Sequence, residues 1–195
     1  MPGHPAWDES YRDEPPPWDI GRPQPALKQL EFAGRVLDAG CGTGEHTLLA
    51  AERGADALGI DVSALAIDAA RAKARERGSP ARFEVWDALR LDELGETFDV
   101  ALDSGLYHVF PDVATRLAYA AQLAAVVRAG GTLDLMCFSP RTPGDWGPQR
   151  IEEDELRATF ADGWAIESLS PAQFDLNPGL PIDKAHAWLL VATRC

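Results

Sequence analysis

The stretch RVLDAGCGTGEHTLLAAERGADALGID, Arg35 to Asp61, holds the residue types and spacing best suited to binding chemistry. Gly40, Gly42 and Gly44 permit a tight backbone turn with no Cβ between it and a ligand. Asp38 closes the apolar run before the turn, and Asp61 closes the run Ala57 to Ile60 after it. A glycine-rich turn between strand and helix, with an acid about twenty residues on at the next strand tip, suits a ribose-bearing cofactor. The turn gives the ligand a backbone to lie against, and the carboxylate accepts from ribose hydroxyls. The spacing departs from the dinucleotide fingerprint G-x-G-x-x-G, whose third glycine falls one residue later. Glu45 stands where a pyrophosphate would meet a helix N-terminus, and its charge would repel one. A sulfonium cofactor with an amino-acid tail carries no phosphate and escapes that repulsion.

A second constellation lies in FDVALDSGLYHVF, Phe98 to Phe110. Asp103 and Ser104 stand at a strand tip, with Tyr107 and His108 just beyond. An imidazole there could accept the proton of an acidic hydroxyl, or pack inertly under the loop. The loop Phe138 to Gly147 offers Arg141, Asp145 and Trp146 to a substrate mouth. Arg141 suits an anionic substrate oxygen and equally the surrounding acids. His46 reads as lying on the first helix turn near the cofactor tail, and His186 as part of a terminal strand.

These residues must be positioned by alternating elements. The pattern predicts helices over 26–33, 45–53, 63–77, 112–128 and 152–160. Strands are expected over 35–39, 56–60, 82–86, 98–102, 131–138, 164–170 and 185–193. Such alternation implies a parallel sheet with right-handed crossovers, and the last two strands, joined without a helix, imply an antiparallel hairpin at one edge. Seven of the fifteen prolines fall in residues 1–25, which therefore read as an irregular but ordered arm or lid. Residues 26–195 read as a single domain. Ser63 reads as a helix N-cap, and Glu152 to Glu155 as a favourable first turn.

The chain of 195 residues is 46% hydrophobic, enough for one α/β core. It has no apolar run near the roughly twenty residues of a membrane span, and MPGHPAWDES lacks the marks of a signal peptide. Cys41, Cys137 and Cys195 lack metal spacing and read as reduced packing residues, so a cytoplasmic protein is expected, with no bound metal. A net charge of −13 repels nucleic acid and anionic membranes. The run Arg71, Lys73, Arg75 and Arg77 splits between helix faces and reads as a solvated helix end.

The glycine run also resembles motif I of the class I S-adenosylmethionine-dependent methyltransferases, D-x-G-x-G-x-G. Trp18-Asp19, after three prolines, resembles the N-terminal W-(D/E) element of the thiopurine, tellurite-resistance and halide/thiol methyltransferase group. The likeness spans PPPWDIGRPQPAL, the glycine motif, LDSGLYHVF and CFSPRTPGDWGP. Within that group the chain is similar to small actinobacterial enzymes that methylate hydroxyl groups of toxic heterocycles such as quinolones. The resemblance implies a Rossmann-like, seven-stranded, mostly parallel sheet with helices on both faces and an antiparallel terminal strand. It implies S-adenosylmethionine as cofactor and S-adenosylhomocysteine as product. Trp18, Asp38, Gly40, Cys41, Gly42, Gly44 and His46 would form one side of the cofactor site. Asp61 would take the ribose, Val62 would lie on the adenine, Asp87 and Ala88 would read the adenine edge, and Ser104 would face the methionine end. The lesser alternative for Asp87 is the cap of a turn. His108 and Asp103 would be catalytic, and Trp18, Tyr107, His108, Arg141 and Trp146 would contact the acceptor. The [N/D/S]-P-P-[Y/F] motif of enzymes acting on base amines or glutamine is missing. The expected activity is methyl transfer to a small aromatic or heterocyclic acceptor at a hydroxyl oxygen, by a monomer or homodimer. The alternatives are a thiol or halide methyltransferase and a non-catalytic cofactor-binding protein; a dinucleotide oxidoreductase is disfavoured by the glycine spacing.

Overall fold

The computed structural model describes residues 5–13, 15–178 and 182–195. Seven strands form one sheet in the order β3-β2-β1-β4-β5-β7-β6. They are β1 Arg35–Ala39, β2 Asp56–Asp61, β3 Arg82–Val85, β4 Phe98–Ser104, β5 Val127–Phe138, β6 Trp164–Asp175 and β7 Lys184–Arg194. All neighbouring pairs from β3 to β5 are parallel, while β7 runs antiparallel to both β5 and β6. The chain order therefore reverses between β1 and β4, where ligands bind in open α/β sheets.

The helices are α1 Pro5–Ser10, α2 Glu45–Glu52, α3 Ala64–Arg77, α4 Val113–Val126 and α5 Glu153–Thr159. Strand alternation sends Val36, Ala57, Val100 and Leu102 to the face covered by α2. Leu37, Leu58, Ile60 and Ala101 face α4 and the 3-10 turn Ala88–Leu94. Among the described residues no helix is long and apolar enough to cross a membrane.

Three expectations change. The helix expected over 26–33 is only a 3-10 turn, Leu27–Gln29. Leu30 is already extended, and the Arg53 guanidinium takes the carbonyls of Leu30 and Lys28 while lying 5.3 Å from the Phe32 ring. Side-chain capping thus replaces the helical bonds this short segment would have made. Conversely, the arm is not wholly irregular: Pro5 opens α1, at the first helical position where its missing N–H is no loss. Strand β6 continues to Asp175, well past residue 170, because β7 pairs with it along its length. The arm's first four residues and Glu14 lie outside the described residues.

Candidate active site

Strand β1 delivers the chain into the turn Gly40 to Gly44, where all three glycines hold positive φ, from 53° to 87°. The Cys41 amide donates to the Ile60 carbonyl at 2.8 Å and the Gly44 amide to the Cys41 carbonyl at 2.9 Å, so the turn is pinned to β2 and to itself. Asp61 completes the anchoring: Oδ2 accepts the Gly42 amide at 2.9 Å and Oδ1 the Ser63 amide at 2.8 Å. A carboxylate offers about four acceptor positions, so half remain for a ligand's hydroxyls. Asp38 lies beneath, buried, with Oδ2 accepting the Thr47 hydroxyl at 2.6 Å and Oδ1 unpartnered. Burial pushes its carboxyl up to about 6.

Glu45, in the first turn of α2, is also buried. Burial alone would raise its pKa, but Arg77 at 2.9 Å and Lys73 at 2.8 Å outweigh that and hold it below the usual carboxylate range. This corrects two expectations. The Glu45 charge is balanced, so repulsion of a phosphate is no argument by itself. The basic run is not simply a solvated end, since Lys73 and Arg77 reach Glu45 and Arg71 donates to the Phe83 carbonyl.

The arm closes over this turn. Asp8 on α1 accepts from the Ser63 hydroxyl at 2.8 Å and the Leu65 amide at 3.3 Å, docking α1 on the start of α3. Trp18 donates from Nε1 to the Tyr11 hydroxyl at 3.1 Å, and its ring meets those of Trp7 and Tyr11 edge-on. Asp19 accepts from the Thr43 hydroxyl at 2.7 Å, and Asn177 donates to the Pro16 and Asp19 carbonyls. The Gln24 amide donates to His46 Nε2 at 3.0 Å, and burial pushes that imidazole down to about 4.

Arm, glycine turn and the tips of β4 and β5 enclose a cavity of about 660 Å³. Gly40, Cys41, Gly42, Gly44 and His46 line one side, and Asp61, Val62 and Ala88 line the next. Trp18, Ser104, His108 and Trp146 line the rest, joined by Phe138 and Phe174. All of these but the two phenylalanines were expected from the sequence.

Five expected site residues stand elsewhere. Asp38 is beneath the turn and not in the cavity wall. The fully buried Asp103 turns back to accept the amides of Leu106 at 2.7 Å and Tyr107 at 3.0 Å, which makes it the cap of its own loop. Tyr107 points into the core, its hydroxyl 2.9 Å from Thr159 Oγ1. Asp87 accepts the Leu89 amide at 2.9 Å and caps the turn after β3, leaving Trp86 and Ala88 to face the cavity. Arg141 is exposed to solvent and outside the cavity wall.

His108 does reach the cavity, but with an orientation unsuited to proton abstraction. Its Nδ1 accepts the Phe138 amide at 2.8 Å, and the ring packs edge-on against Phe138 with centroids 4.7 Å apart. An imidazole whose Nδ1 accepts is protonated on Nε2 when neutral. Burial, aided by the Arg150 charge, pushes its pKa down to about 3. Reading the sequence missed Trp7, Tyr11, Gln24 and Phe174, although the i, i+4 spacing of Trp7 and Tyr11 is a helical signal.

A methyltransferase domain family matches residues 36–131. The chain is 34% identical over 185 residues to the 2-heptyl-1-hydroxyquinolin-4(1H)-one methyltransferase of Mycobacteroides abscessus, covering 88% of this chain and 81% of that one. It is 23% identical over 189 residues to the probable thiol methyltransferase 2 of Arabidopsis thaliana, with 93% and 83% covered. A solved structure concerned with conversion of a disulfide bond into a thioacetal group during echinomycin biosynthesis matches with TM-score 0.87 at 38% identity, covering 97% and 92%. With its glycine turn, ribose-type acid and reversed strand order, the chain belongs to the class I S-adenosylmethionine-dependent methyltransferases.

Proposed function

We propose that this enzyme methylates a hydroxyl oxygen of a small aromatic or heterocyclic acceptor. The observation that carries this reading is the continuity of one cavity: the glycine turn and Asp61 bound one end, and Phe138, Trp146 and Phe174 wall the other. Apolar walls with a few convergent polar groups suit a flat organic molecule. The net charge of −13 supports a small acceptor over nucleic acid. The buried free thiols of Cys41 and Cys137 support a reducing, cytoplasmic setting.

The residues fit the cofactor. Asp61 retains acceptor capacity for ribose hydroxyls, and Val62, Trp86 and Ala88 line the same cavity with apolar surface suited to a base. When bound, S-adenosylmethionine supplies a methyl group on a cationic sulfur that is an activated leaving group. The protein's own contribution is alignment, which can lower a barrier by about 7–11 kcal/mol. Trp18 and Tyr11 exclude water from above, and Phe138 and Trp146 hold the acceptor ring. His108 serves as a hydrogen-bond donor through Nε2 and not as the base expected from the sequence. Ser104 lines the cavity at the β4 tip, where the methyl group would lie.

The test is turnover of the purified enzyme with S-adenosylmethionine and a 1-hydroxyquinolin-4-one, a phenol, thiophenol and iodide, with products identified by mass. O-methylated heterocycle or phenol as the best product supports the reading. Turnover confined to thiophenol or iodide would replace it with soft-nucleophile methylation. Cofactor binding with no turnover on any acceptor would favour a non-catalytic role.

A further inference from the structure

Arg150 lies directly behind the aromatic wall of the cavity. Its guanidinium is 5.7 Å from the Phe138 ring centre and 5.5 Å from that of Trp146. Nη1 donates to the carbonyls of Trp146 at 2.6 Å and Pro148 at 2.7 Å, and Nη2 to Gly144 at 3.0 Å and Pro143 at 3.4 Å. Its buried Nε has no partner, and among the described residues no carboxylate pairs with it. Arg116, also close to this loop, contrasts with it: that guanidinium is neutralised by Glu155 at 2.7 Å. In a chain with 31 acids against 18 bases, a partly buried cation left facing only carbonyl dipoles is an unspent charge.

That charge adds to the effect of burial on its neighbour His108. His108 shares the Phe138 wall and is kept from protonating, so its one polar atom facing the cavity is an Nε2–H. Asp103 at the base of the same loop is committed to the Leu106 and Tyr107 amides. Of the cavity's other lone-pair groups, Asp61 keeps its free acceptor positions at the glycine-turn end, while Glu45 is committed to Lys73 and Arg77, Asp19 to Thr43 and Gly21, and His46 to Gln24. Tyr11 and Cys41 are pushed upward by burial, and Arg22 is paired with Asp175. The acceptor end of the cavity thus presents a donor and no free base, with the Arg150 charge behind its aromatic wall.

We propose that Arg150 and His108 make the acceptor end selective for an anion, so that the enzyme takes its acceptor already ionised. This rests on the O-methylation reading above and names the charge state of its substrate. The acceptor gives its proton to solvent before or on binding. Its oxygen lone pair then forms the new O–C bond as the S–C bond breaks and that pair returns to sulfur, with no proton moving in the step. The substrate class follows: acidic hydroxyls, such as N-hydroxy heterocycles and electron-poor phenols, ahead of ordinary phenols and alcohols.

The test is spectroscopic and independent of turnover. 4-Nitrophenol, whose yellow phenolate reports its ionisation directly, is titrated with pH in the presence of enzyme and S-adenosylhomocysteine. Bound probe is expected to ionise about one pH unit or more below free probe. His108→Asn keeps an acceptor for the Phe138 amide but lacks the Nε2–H, and His108→Gln keeps a donor; the first should lose more of the displacement. Arg150→Met should reduce it, and Arg150→Lys, which keeps the charge if Met loosens the loop, should retain part. Bound probe that stays neutral through its free ionisation range, or a displacement unchanged in Arg150→Met, overturns the proposal. Methylation of the neutral probe would leave the O-methylation reading standing while this inference falls; failure of the probe to bind, with no turnover of any hydroxyl acceptor, removes both.

Discussion

Asp61 Oδ2 accepts the Gly42 amide at 2.9 Å, which ties the tip of β2 to the centre of the glycine turn. The same carboxylate takes the Ser63 amide through Oδ1, so one side chain sets the turn and the start of α3 together. Its pKa is raised by burial against the lowering pull of those amides. Asp61→Ala removes the ribose acceptor along with both anchors. Hydrogen bonds to charged groups contribute about 1.5–3 kcal/mol each, so S-adenosylhomocysteine should bind roughly 10- to 100-fold more weakly by calorimetry. Unchanged affinity would place the ribose elsewhere.

The part of the site built from local spacing was legible in the sequence. Strand β1 matches its expected bounds, α2 begins at Glu45 as expected, and the three glycines and Asp61 stand together because strand–turn–helix geometry fixes them within one unit. The acceptor half was legible only in part: Trp18, His108 and Trp146 line it as expected, but its detail depends on contacts distant in sequence. Asp103 looked catalytic at its strand tip, yet the tight loop behind it leaves two amides needing an acceptor, and it turns inward to them. Phe138 lies 30 positions from His108, and only its amide decides which imidazole nitrogen carries the proton. Phe174 enters the cavity because β7 extends β6 past residue 170, which no local pattern signals.

Gly44 holds φ at +87°, and a Cβ there would come 2.6 Å from Phe83 Cε1 and 3.0 Å from Ala70 Cβ. Backbone strain and overpacking act together in Gly44→Ala, at a cost of about 2–5 kcal/mol. Denaturant unfolding should show that loss, along with weakened cofactor binding. A variant as stable as the parent would mean the turn tolerates a side chain.

Asp134, in β5, is buried, and its carboxyl receives no hydrogen bond among the described residues. Burial pushes its carboxyl up to about 7. A carboxyl raised in the folded state contributes stability that is complete below its unfolded pKa near 4 and lost as pH rises through about 7. Asp134→Asn removes that loss. The variant's Tm relative to the parent should climb from pH 4.5 to 7.5 and level off above. A difference independent of pH would show that Asp134 does not titrate in that window.

Trp18 is 46% exposed, and its hydrogen bond and ring contacts are to Tyr11 and Trp7 of the same arm. Trp18→Ala should therefore alter stability by no more than about 0.5 kcal/mol. It should raise KM for the acceptor several-fold by opening the roof of the cavity. A large fall in Tm with unchanged KM would make the arm a structural clasp.

Titration calorimetry of the purified protein with S-adenosylhomocysteine, run beside NADH, tests which cofactor the glycine turn holds. Saturable one-to-one binding of S-adenosylhomocysteine, with none for NADH, is the expected result. Binding of NADH in its place, or of neither, would contradict the cofactor assignment of the glycine turn.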